Sequence, residues 1–306
     1  MILHRIEELS QLTGPVHLAI GVFDGVHRGH QKVIANAVAG AHTTGGTSVV
    51  VTFDPHPARV LRPDRAPRLI TSTSHKVAIL QSLGIDHILL IPFDQEFADI
   101  HPAQFIEELA SACRPLHSIS VGRQWCFGNN RAGNLSLLDK LGSQFGFAVT
   151  GIPEVEIDGK PLSSTLIRSA IETGQLETAH HYLGRPFTLL GTVEHGLQIG
   201  RTLGFPTANL RCHNEQFPPN GVYLVTANLE AELFSGIINI GTRPTLDIAI
   251  HHRLLELHIF DFNRDIYGKD IEIELKTFLR PEIRFNGLEA LKEQIKKDIA
   301  AARHLL

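Results

Sequence analysis

The sequence predicts two domains of different fold class: an α/β domain with a parallel sheet at residues 1–183, and an antiparallel β domain at residues 184–306 that ends in a helix. The length of 306 residues exceeds the usual size of one domain. In the first half, continuous apolar runs alternate with helical patterns, which is typical of a parallel sheet covered on both faces. From Phe187 onward, short alternating runs with Gly and Pro turns indicate a barrel or a sandwich.

The overall composition is that of an ordinary globular protein. Hydrophobic residues make up 43% of the chain and charged residues 20%, which is enough for substantial cores. The net charge of −4 argues against electrostatically driven binding of nucleic acid. No apolar run is long enough to span a membrane, so we expect a cytoplasmic protein that binds small molecules. The three cysteines are far apart and form no C-x-x-C pair, which disfavours disulfides and a zinc site.

The first half is organised around a glycine-rich turn at residues 21–30. An apolar run precedes it and a helical pattern follows, which predicts a buried strand, a tight turn and a helix N-terminus. Unpaired backbone N–H groups and the positive end of the helix dipole favour phosphate there. His27 and His30 can face the same side of the first turn, and imidazole can bind phosphate as a donor or a cation near neutral pH. Two surface histidines at a helix start are the alternative interpretation.

Two further loops follow predicted strands and are expected to reach the same edge of the sheet. Residues 54–57 follow the β-branched run at 47–53, and residues 122–128 follow the run at 118–121. Ligands bind at the carboxyl ends of parallel strands, so these loops should converge with the glycine-rich turn. His56 is equally well explained as a loop histidine bonded to the backbone. Trp125 either packs in the core or stacks on a ring.

The segment at residues 163–168 supplies hydroxyl groups and a guanidinium group. Ser163, Ser164 and Thr165 suit a helix N-cap, and Arg168 follows one turn later. Helix capping and phosphate contact are compatible with each other. The combination suits a leaving pyrophosphate.

The second half contains a glycine-rich segment at residues 196–209 and an acidic residue, Glu256, on an otherwise apolar strand. Thr207 and Asn209 supply neutral oxygens that suit a magnesium ion bound together with substrate phosphate. A glycine-rich hairpin with a structural proline is the alternative for this segment. Glu256 is a candidate general base if it borders a site, and only the polar half of an alternating strand if it faces solvent. The chain contains no Walker-type P-loop.

Taken together, these motifs resemble those of the bacterial bifunctional riboflavin kinase and FMN adenylyltransferase family, also called FAD synthetase. The His-x-Gly-His of the first half is similar to the signature of the nucleotidylyltransferase superfamily. The ordered set of matches covers nearly the whole chain. The matching segments are residues 21–30, 52–57, 93–98, 127–133, 163–168, 200–209, 239–245, 261–268 and 279–282.

The resemblance implies a Rossmann-like nucleotidylyltransferase domain followed by a riboflavin-kinase barrel with a C-terminal helix. The barrel would phosphorylate riboflavin with ATP and Mg²⁺ to give FMN. The first domain would then join FMN to the adenylyl group of a second ATP, giving FAD and pyrophosphate. Both reactions are transfers at phosphorus, in which positioning and charge neutralisation do most of the catalysis.

By the same resemblance, the residues that match the family's motifs receive roles. The catalytic residues would be His27, His30 and Glu256, with Glu256 accepting the hydroxyl proton. The ATP site of the adenylyltransferase would contain Gly21, Phe23, Asp24, Gly25, His27, Gly29, His30, Ser163, Ser164, Thr165 and Arg168, and its FMN site Asp54, His56, Gln124 and Phe127. The kinase site would contain Gly196, Gly200, Arg201, Gly204, Pro206, Thr207, Asn209, Asn239 and Arg243, with Mg²⁺ on Thr207 and Asn209.

One departure from the family pattern lies in the third loop. Gln124-Trp125 stands where the family commonly has an acidic residue or Asn followed by Phe, and Gln reaches one methylene further. Two other hypotheses are a different His-x-Gly-His nucleotidylyltransferase with an unrelated C-terminal domain, and a flavin-binding regulator without activity. The run at residues 206–209 and Glu256 argue against the first of these.

Overall fold

The computed structural model describes residues 1–196, 200, 204–242 and 253–306. The chain forms two compact units. The first contains Met1–Leu69 and Thr73–Leu166, and the second contains Ile70–Ser72 and Ile167–Leu306. None of the helices in these described ranges is both long and apolar enough to cross a membrane.

The first unit is built on a parallel sheet of six strands. The strands are β1 (Ile2–Leu3), β2 (Val16–Ile20), β3 (Thr47–Asp54), β4 (His87–Pro92), β5 (Leu116–Gly122) and β6 (Ala148–Ile152). Their order across the sheet is β1-β4-β3-β2-β5-β6, and every neighbouring pair is parallel. A short antiparallel pair, β7 (Glu156–Ile157) and β8 (Lys160–Pro161), lies outside this sheet.

Helices cover both faces of the sheet. They are α1 (Arg28–Thr44), α2 (Pro57–Leu61), α3 (Thr73–Ser82), α4 (Gln95–Ala98), α5 (Pro102–Ala112) and α6 (Leu135–Phe145), with 3-10 turns at Ile6–Gln11, Pro63–Arg65 and Asn129–Arg131. Alternate residues of β2 enter different cores. Leu18 packs in the same cluster as Leu109 of α5, whereas Ala19 packs with Ile34 of α1 and Leu80 of α3. This confirms the predicted parallel sheet, because strands buried on both faces read as continuous apolar runs.

The second unit contains a closed antiparallel barrel, which decides between the barrel and the sandwich. Its strands are β9 (Thr188–Glu194), β10 (Ala208–Cys212), β11 (Gly221–Leu229), β12 (Glu232–Thr242), β13 (Arg253–Ile259) and β14 (Asp270–Arg280). The order around the barrel is β10-β13-β12-β11-β14-β9. Closure of the sheet leaves no free edge, because β9 pairs with both β10 and β14.

Three further helices complete the described chain: α7 (Ser164–Glu172), α8 (Leu176–Leu183) and the C-terminal α9 (Leu288–His304). The fully buried Ala302 of α9 packs with Val222, Leu224 and Ile237 on the outer face of the barrel. The same helix carries Asp298, which forms an ion pair with Arg280 of β14 at 2.7 Å. Helix α9 is therefore the C-terminal helix that the sequence predicts, and it lies on the barrel.

The division between the two compact units falls at a different residue from the domain boundary that the sequence predicts at residue 184. They divide between Leu166 and Ile167, so the rest of α7 and all of α8 group with the second unit. Helix α8 ends at Gly184, which adopts a left-handed φ of 71°. That glycine explains why the helical pattern stops there. As a division between functional domains, 1–183 and 184–306 stays a prediction.

Candidate active sites

His27 is the N-cap of α1. Its Nδ1 accepts hydrogen bonds from the backbone N–H groups of Gly29 (3.1 Å) and His30 (3.3 Å). Because a backbone N–H can only donate, Nδ1 carries no proton, and the proton of the imidazole lies on Nε2. Two of the N–H groups that the sequence assigned to phosphate are therefore already bonded to His27. The donor that His27 can offer to an anion is its Nε2–H.

His27 and His30 lie against each other, as their spacing predicts. Their rings stack with centroids 3.6 Å apart at 20°, and the ring of Phe23 meets His30 edge-on at 5.3 Å. Burial lowers the pKa of His30 well below its usual value, and the charges of His27 and Lys76 lower it further. His30 is therefore a neutral imidazole near pH 7. Of the two ways in which the sequence suggests that it binds phosphate, as a hydrogen-bond donor or as a cation, only the donor remains.

The turn before α1 has an unusual backbone. Phe23 (φ 54°) and Val26 (φ 42°) both occupy the left-handed region, which side-chain-bearing residues rarely adopt, and Gly25 lies there too. Phe23 and Val26 are almost fully buried, so packing holds this conformation in place. A Cβ added to Gly29 would lie 3.0 Å from Cε1 of His27, so Gly29 leaves room for the capping imidazole. Such backbone conformations cluster at ligand sites.

The start of α7 is joined to this turn. The hydroxyl of Ser164 donates to the carbonyl of Asp24 at 3.0 Å. Ser163 accepts from the backbone N–H of Leu166 at 3.4 Å, which is the predicted capping contact. Thr165 is exposed. Arg168 belongs to the second compact unit, so its contact with the triphosphate stays a prediction.

The end of β3 and the loop after it carry Asp54 and His56, two of the residues that the sequence assigns to the FMN site. Asp54 accepts a 2.6 Å hydrogen bond from the hydroxyl of Thr73. His56 caps α2, with Nδ1 accepting from the backbone N–H of Ala58 at 3.1 Å. Nδ1 of His56 is thus bonded to the backbone, as the alternative interpretation of a loop histidine expects.

The loop after β5 presents an aromatic stack. Trp125 lies parallel to Phe127, with ring centroids 4.3 Å apart at 11°. Phe127 is buried in the main core of the unit, whereas Trp125 is half-buried and Gln124 is exposed. Trp125 therefore packs against the core, as one of the two alternatives states, and stacking on the ring of a ligand stays a prediction.

Lys76 of α3 is a charged residue that sequence reasoning missed. Only 6% of the residue is exposed, and its Nζ donates to the carbonyl of Val22 (3.3 Å), the hydroxyl of Thr52 (3.1 Å) and the carbonyl of Phe53 (3.1 Å). The spacing of the apolar residues in α3 already indicates that Lys76 is buried. Lys76 precedes the buried Ile79 and Leu80 by three and four residues, which places it on the apolar face of the helix.

In the barrel, three polar residues stand side by side on neighbouring strands. Asn209 of β10 pairs with Glu256 of β13, and Glu256 pairs with Asn239 of β12. Directly paired residues point to the same face of a sheet. The flanking Leu255 and Leu257 are 1% exposed and face the barrel interior, so the polar row lies on the outer face.

A cavity lies between this outer face and α9. It contains about 660 Å³ of empty space, part of it open to solvent. The barrel side contributes Thr207, Asn239 and Glu256, and α9 contributes Leu291 and Ile295. Apolar walls with a few convergent polar groups are typical of a site for a small organic ligand. The prediction that Glu256 borders a site is consistent with this position.

The glycine-rich segment approaches the polar row. A Cβ added to Gly200 would lie 2.9 Å from the hydroxyl oxygen of Thr207, and one added to Gly196 would meet the side-chain amide of Asn209. The carbonyl of Pro206 accepts a 2.8 Å hydrogen bond from Nδ1 of His258, and Gly204 has a left-handed φ of 88°. Arg201 and Arg243 lie outside the described residues.

The donor set at Thr207 and Asn209 consists of one hydroxyl and one amide oxygen. Within the described residues, no group of three or more His, Cys, Asp or Glu side chains is arranged to hold a metal ion. A sparse set of neutral oxygens fits Mg²⁺, which keeps several waters and is usually bound together with substrate phosphate.

Comparisons with known proteins give consistent results for both halves of the chain. Residues 10–166 match the family model described as FAD synthetase, and residues 183–306 match the one described as riboflavin kinase. A protein of Bacillus subtilis is 38% identical over 285 residues, which cover 92% of this chain and 89% of that protein. A protein of Escherichia coli K12 is 37% identical over 287 residues, which cover 94% of this chain and 91% of that protein. Both carry the name bifunctional riboflavin kinase/FMN adenylyltransferase.

Among solved structures, one described as a macrolide-efflux protein from Streptococcus pneumoniae has a TM-score of 0.83 and 28% sequence identity. The match covers 99% of this chain and 98% of that chain. The likeness concerns the fold of the full chain.

Proposed function

The chain belongs to the bifunctional riboflavin kinase/FMN adenylyltransferase family, and on that premise we propose which of its residues carry out each reaction. The enzyme phosphorylates riboflavin with ATP to give FMN, and it adenylylates FMN with a second ATP to give FAD and pyrophosphate. The first reaction belongs to the riboflavin kinase domain and the second to the FAD synthetase domain.

For the kinase reaction, Glu256 is the general base. Its position beside the cavity between the barrel and α9, with Asn209 and Asn239 paired on either side, is the observation that carries this assignment. Glu256 would accept the proton of the ribityl hydroxyl as that oxygen attacks the γ-phosphorus and the bond to the ADP oxygen breaks. The neighbouring amides would orient the substrate and its phosphates. Gly196, Gly200, Gly204 and Pro206 would shape the loop around ATP, together with Arg201 and Arg243.

Thr207 and Asn209 would hold Mg²⁺, which supplies neutralisation of phosphate charge when it is bound. Two neutral ligands leave the charge balance to the substrate. Metal binding at this position should therefore depend on ATP.

For the adenylyl transfer, His27 and His30 hold the triphosphate of ATP. The N–H donor on Nε2 of His27 and the stacked neutral ring of His30 support this role. An oxygen of the FMN phosphate would attack the α-phosphorus, and the bond to the pyrophosphate oxygen would break. Donors placed at the triphosphate stabilise the charge that builds up on the leaving group.

The rest of the adenylyltransferase site follows the loops around α1. Gly21, Phe23, Asp24, Gly25 and Gly29 would shape the ATP cradle. Ser163, Ser164, Thr165 and Arg168 would contact the phosphates. The FMN site would be formed by Asp54, His56, Gln124 and Phe127, with the half-buried indole of Trp125 stacked on Phe127.

We propose that the enzyme acts in the cytoplasm, where ATP is available, on small-molecule substrates and without nucleic-acid or membrane partners. The net charge of −4 supports the exclusion of nucleic acid. The test is chromatographic product analysis of the purified protein with ATP and Mg²⁺, given riboflavin in one reaction and FMN in another. Riboflavin should yield FMN and FAD, and FMN should yield FAD with pyrophosphate. A flavin-binding regulator would return both flavins unchanged, and a full rate in EDTA would contradict the Mg²⁺ assignment.

A further inference from the structure

The geometry points to Lys76 as a positioning residue for adenylyl transfer, whose ammonium group joins the loop after β2 to the end of β3 next to the paired histidines. The inference rests on the proposed role of His27 and His30. It adds a residue that touches neither substrate and acts through the site's backbone and through His30.

The first support is the hydrogen bonding of the ammonium group. Nζ donates to the carbonyls of Val22 and Phe53 and to the hydroxyl of Thr52, so all three of its donors are used. Thr52 in turn donates to the carbonyl of Val22 at 3.0 Å. Val22 directly precedes the strained Phe23, and Phe53 directly precedes Asp54. Lys76 therefore joins the turn that carries the two histidines to the strand end that leads to the predicted FMN loop.

The second support is the free-energy cost of burying the charged side chain of Lys76. A lysine that is 6% exposed gives up most of its hydration, and an apolar side chain would fill the same space without that penalty. Burial lowers the pKa of Lys76 to about 8, although the carboxylates of Asp24 and Asp54 oppose the shift. A buried group with a strongly shifted pKa next to a cluster of titratable residues is typical of a functional site.

The third support is the effect on His30. The groups that interact electrostatically with this pair are Asp24 and Asp54 at the loop ends, His27 on the same turn, and Lys76 itself. The charge of Lys76 lowers the pKa of His30, in addition to burial and to His27. Lys76 thus favours the neutral imidazole, which binds phosphate through a fixed N–H group.

The test compares wild type with Lys76→Gln, which removes the charge and keeps part of the hydrogen bonding. Lys140→Gln, at an exposed lysine of α6, is the matched control. FAD formation by Lys76→Gln should fall roughly 100-fold in kcat, because a misplacement of about 1 Å has that effect on an oriented group. FMN formation by the same polypeptide should be unchanged. Lys140→Gln should match wild type in both reactions.

Two pH measurements separate this role from a merely structural one. In wild type, FAD formation should decline as pH rises through about 8, where Lys76 loses its proton, while FMN formation shows no such decline. The histidine NMR titration of Lys76→Gln should show a higher pKa for His30 than wild type does. The His30 signal is the one missing from the spectrum of His30→Gln.

The possible results distinguish an error in the role of Lys76 from an error in the proposed histidine site. Wild-type rates of FAD formation in Lys76→Gln, with an unchanged titration of His30, would overturn the role of Lys76. If His30→Gln also kept full FAD formation, the proposed histidine site itself would be wrong. If Lys76→Gln failed to fold, the wild-type pH profile decides, and a profile without a decline near pH 8 specific to FAD formation would overturn the inference.

Discussion

At the scale of single residues, His27 combines two tasks that are usually separate. Its Nδ1 closes the N-terminus of α1 by accepting from Gly29 and His30, and this leaves the proton on Nε2. Residues such as Ser, Asn and Asp cap helices equally well. A capping Asn also keeps a donor, its amide N–H₂, but on a shorter side chain, so only the imidazole places an N–H group at the position of Nε2. The proposed contact with ATP would thus explain the identity of the residue, while the helix explains its position.

This division of tasks predicts different results for two substitutions of His27. His27→Asn should keep the cap and therefore the thermal stability, whereas His27→Ala should lose about 1 kcal/mol of stability. Both should lose FAD formation and retain FMN formation. Thermal unfolding and product analysis of the two variants check this. Equal FAD formation in wild type and His27→Asn would contradict it.

The three thiols should also differ in reactivity. Burial raises the pKa of Cys113 and of Cys212 to about 12, so both stay protonated at neutral pH. Cys126 is half-buried, and its Sγ–H donates to the carbonyl of Gln124 at 3.6 Å, in the loop assigned to FMN. A thiol reagent at neutral pH should therefore label Cys126 first, and FMN should slow the labelling. Mass spectrometry of the labelled peptides checks this, and labelling unaffected by FMN would contradict the placement of the flavin.

At the scale of elements, α9 forms one wall of the cavity beside the barrel. The carboxylate of Asp298 is 5% exposed and accepts three hydrogen bonds from Arg280 of β14, at 2.7, 2.9 and 3.0 Å. Gln294 donates to the same carboxylate at 2.8 Å. This polar contact fixes α9 against the strand that ends beside the cavity, while Ala302 and Ile299 pack on apolar residues.

Removing this contact should destabilise the second unit and disturb the cavity. Asp298→Asn leaves the guanidinium of Arg280 without its charge partner, so we expect a loss of about 3 kcal/mol in the free energy of unfolding. The KM for riboflavin should rise, because α9 lines the cavity. Glu293→Gln is the control, since it removes an exposed ion pair to Lys296 within the same helix. Denaturant unfolding should leave that control unchanged, and equal effects in both variants would contradict the role of Asp298.

The elements that the sequence predicted well are those in which local pattern and tertiary packing agree. The strand, turn and helix around residues 16–44 form because a continuous apolar run is followed by glycine and then by helical spacing. Closure of the barrel was not predictable from spacing, because a barrel and a sandwich have the same alternating strands. The pairing of Asn209, Glu256 and Asn239 needed the register of three strands that are far apart along the chain. Lys76 was missed because a single lysine in a helical pattern is normally a surface residue.

At the scale of the whole molecule, the two reactions are assigned to separate compact units. The histidine pair, Lys76 and Ser164 lie within the first unit, and the polar row and its cavity lie within the second. FMN is the product of one reaction and the substrate of the other. Each unit contains its own core. Loss of one reaction should therefore leave the other intact in the same polypeptide.

The most direct measurement of this claim is product analysis of His27→Asn and Glu256→Gln, each given riboflavin or FMN with ATP and Mg²⁺. The His27 variant should convert riboflavin to FMN and stop there. The Glu256 variant should leave riboflavin unchanged and still convert FMN to FAD. If either substitution abolished both reactions in a folded chain, or if neither reaction were lost, the assignment of one site to each unit would be wrong.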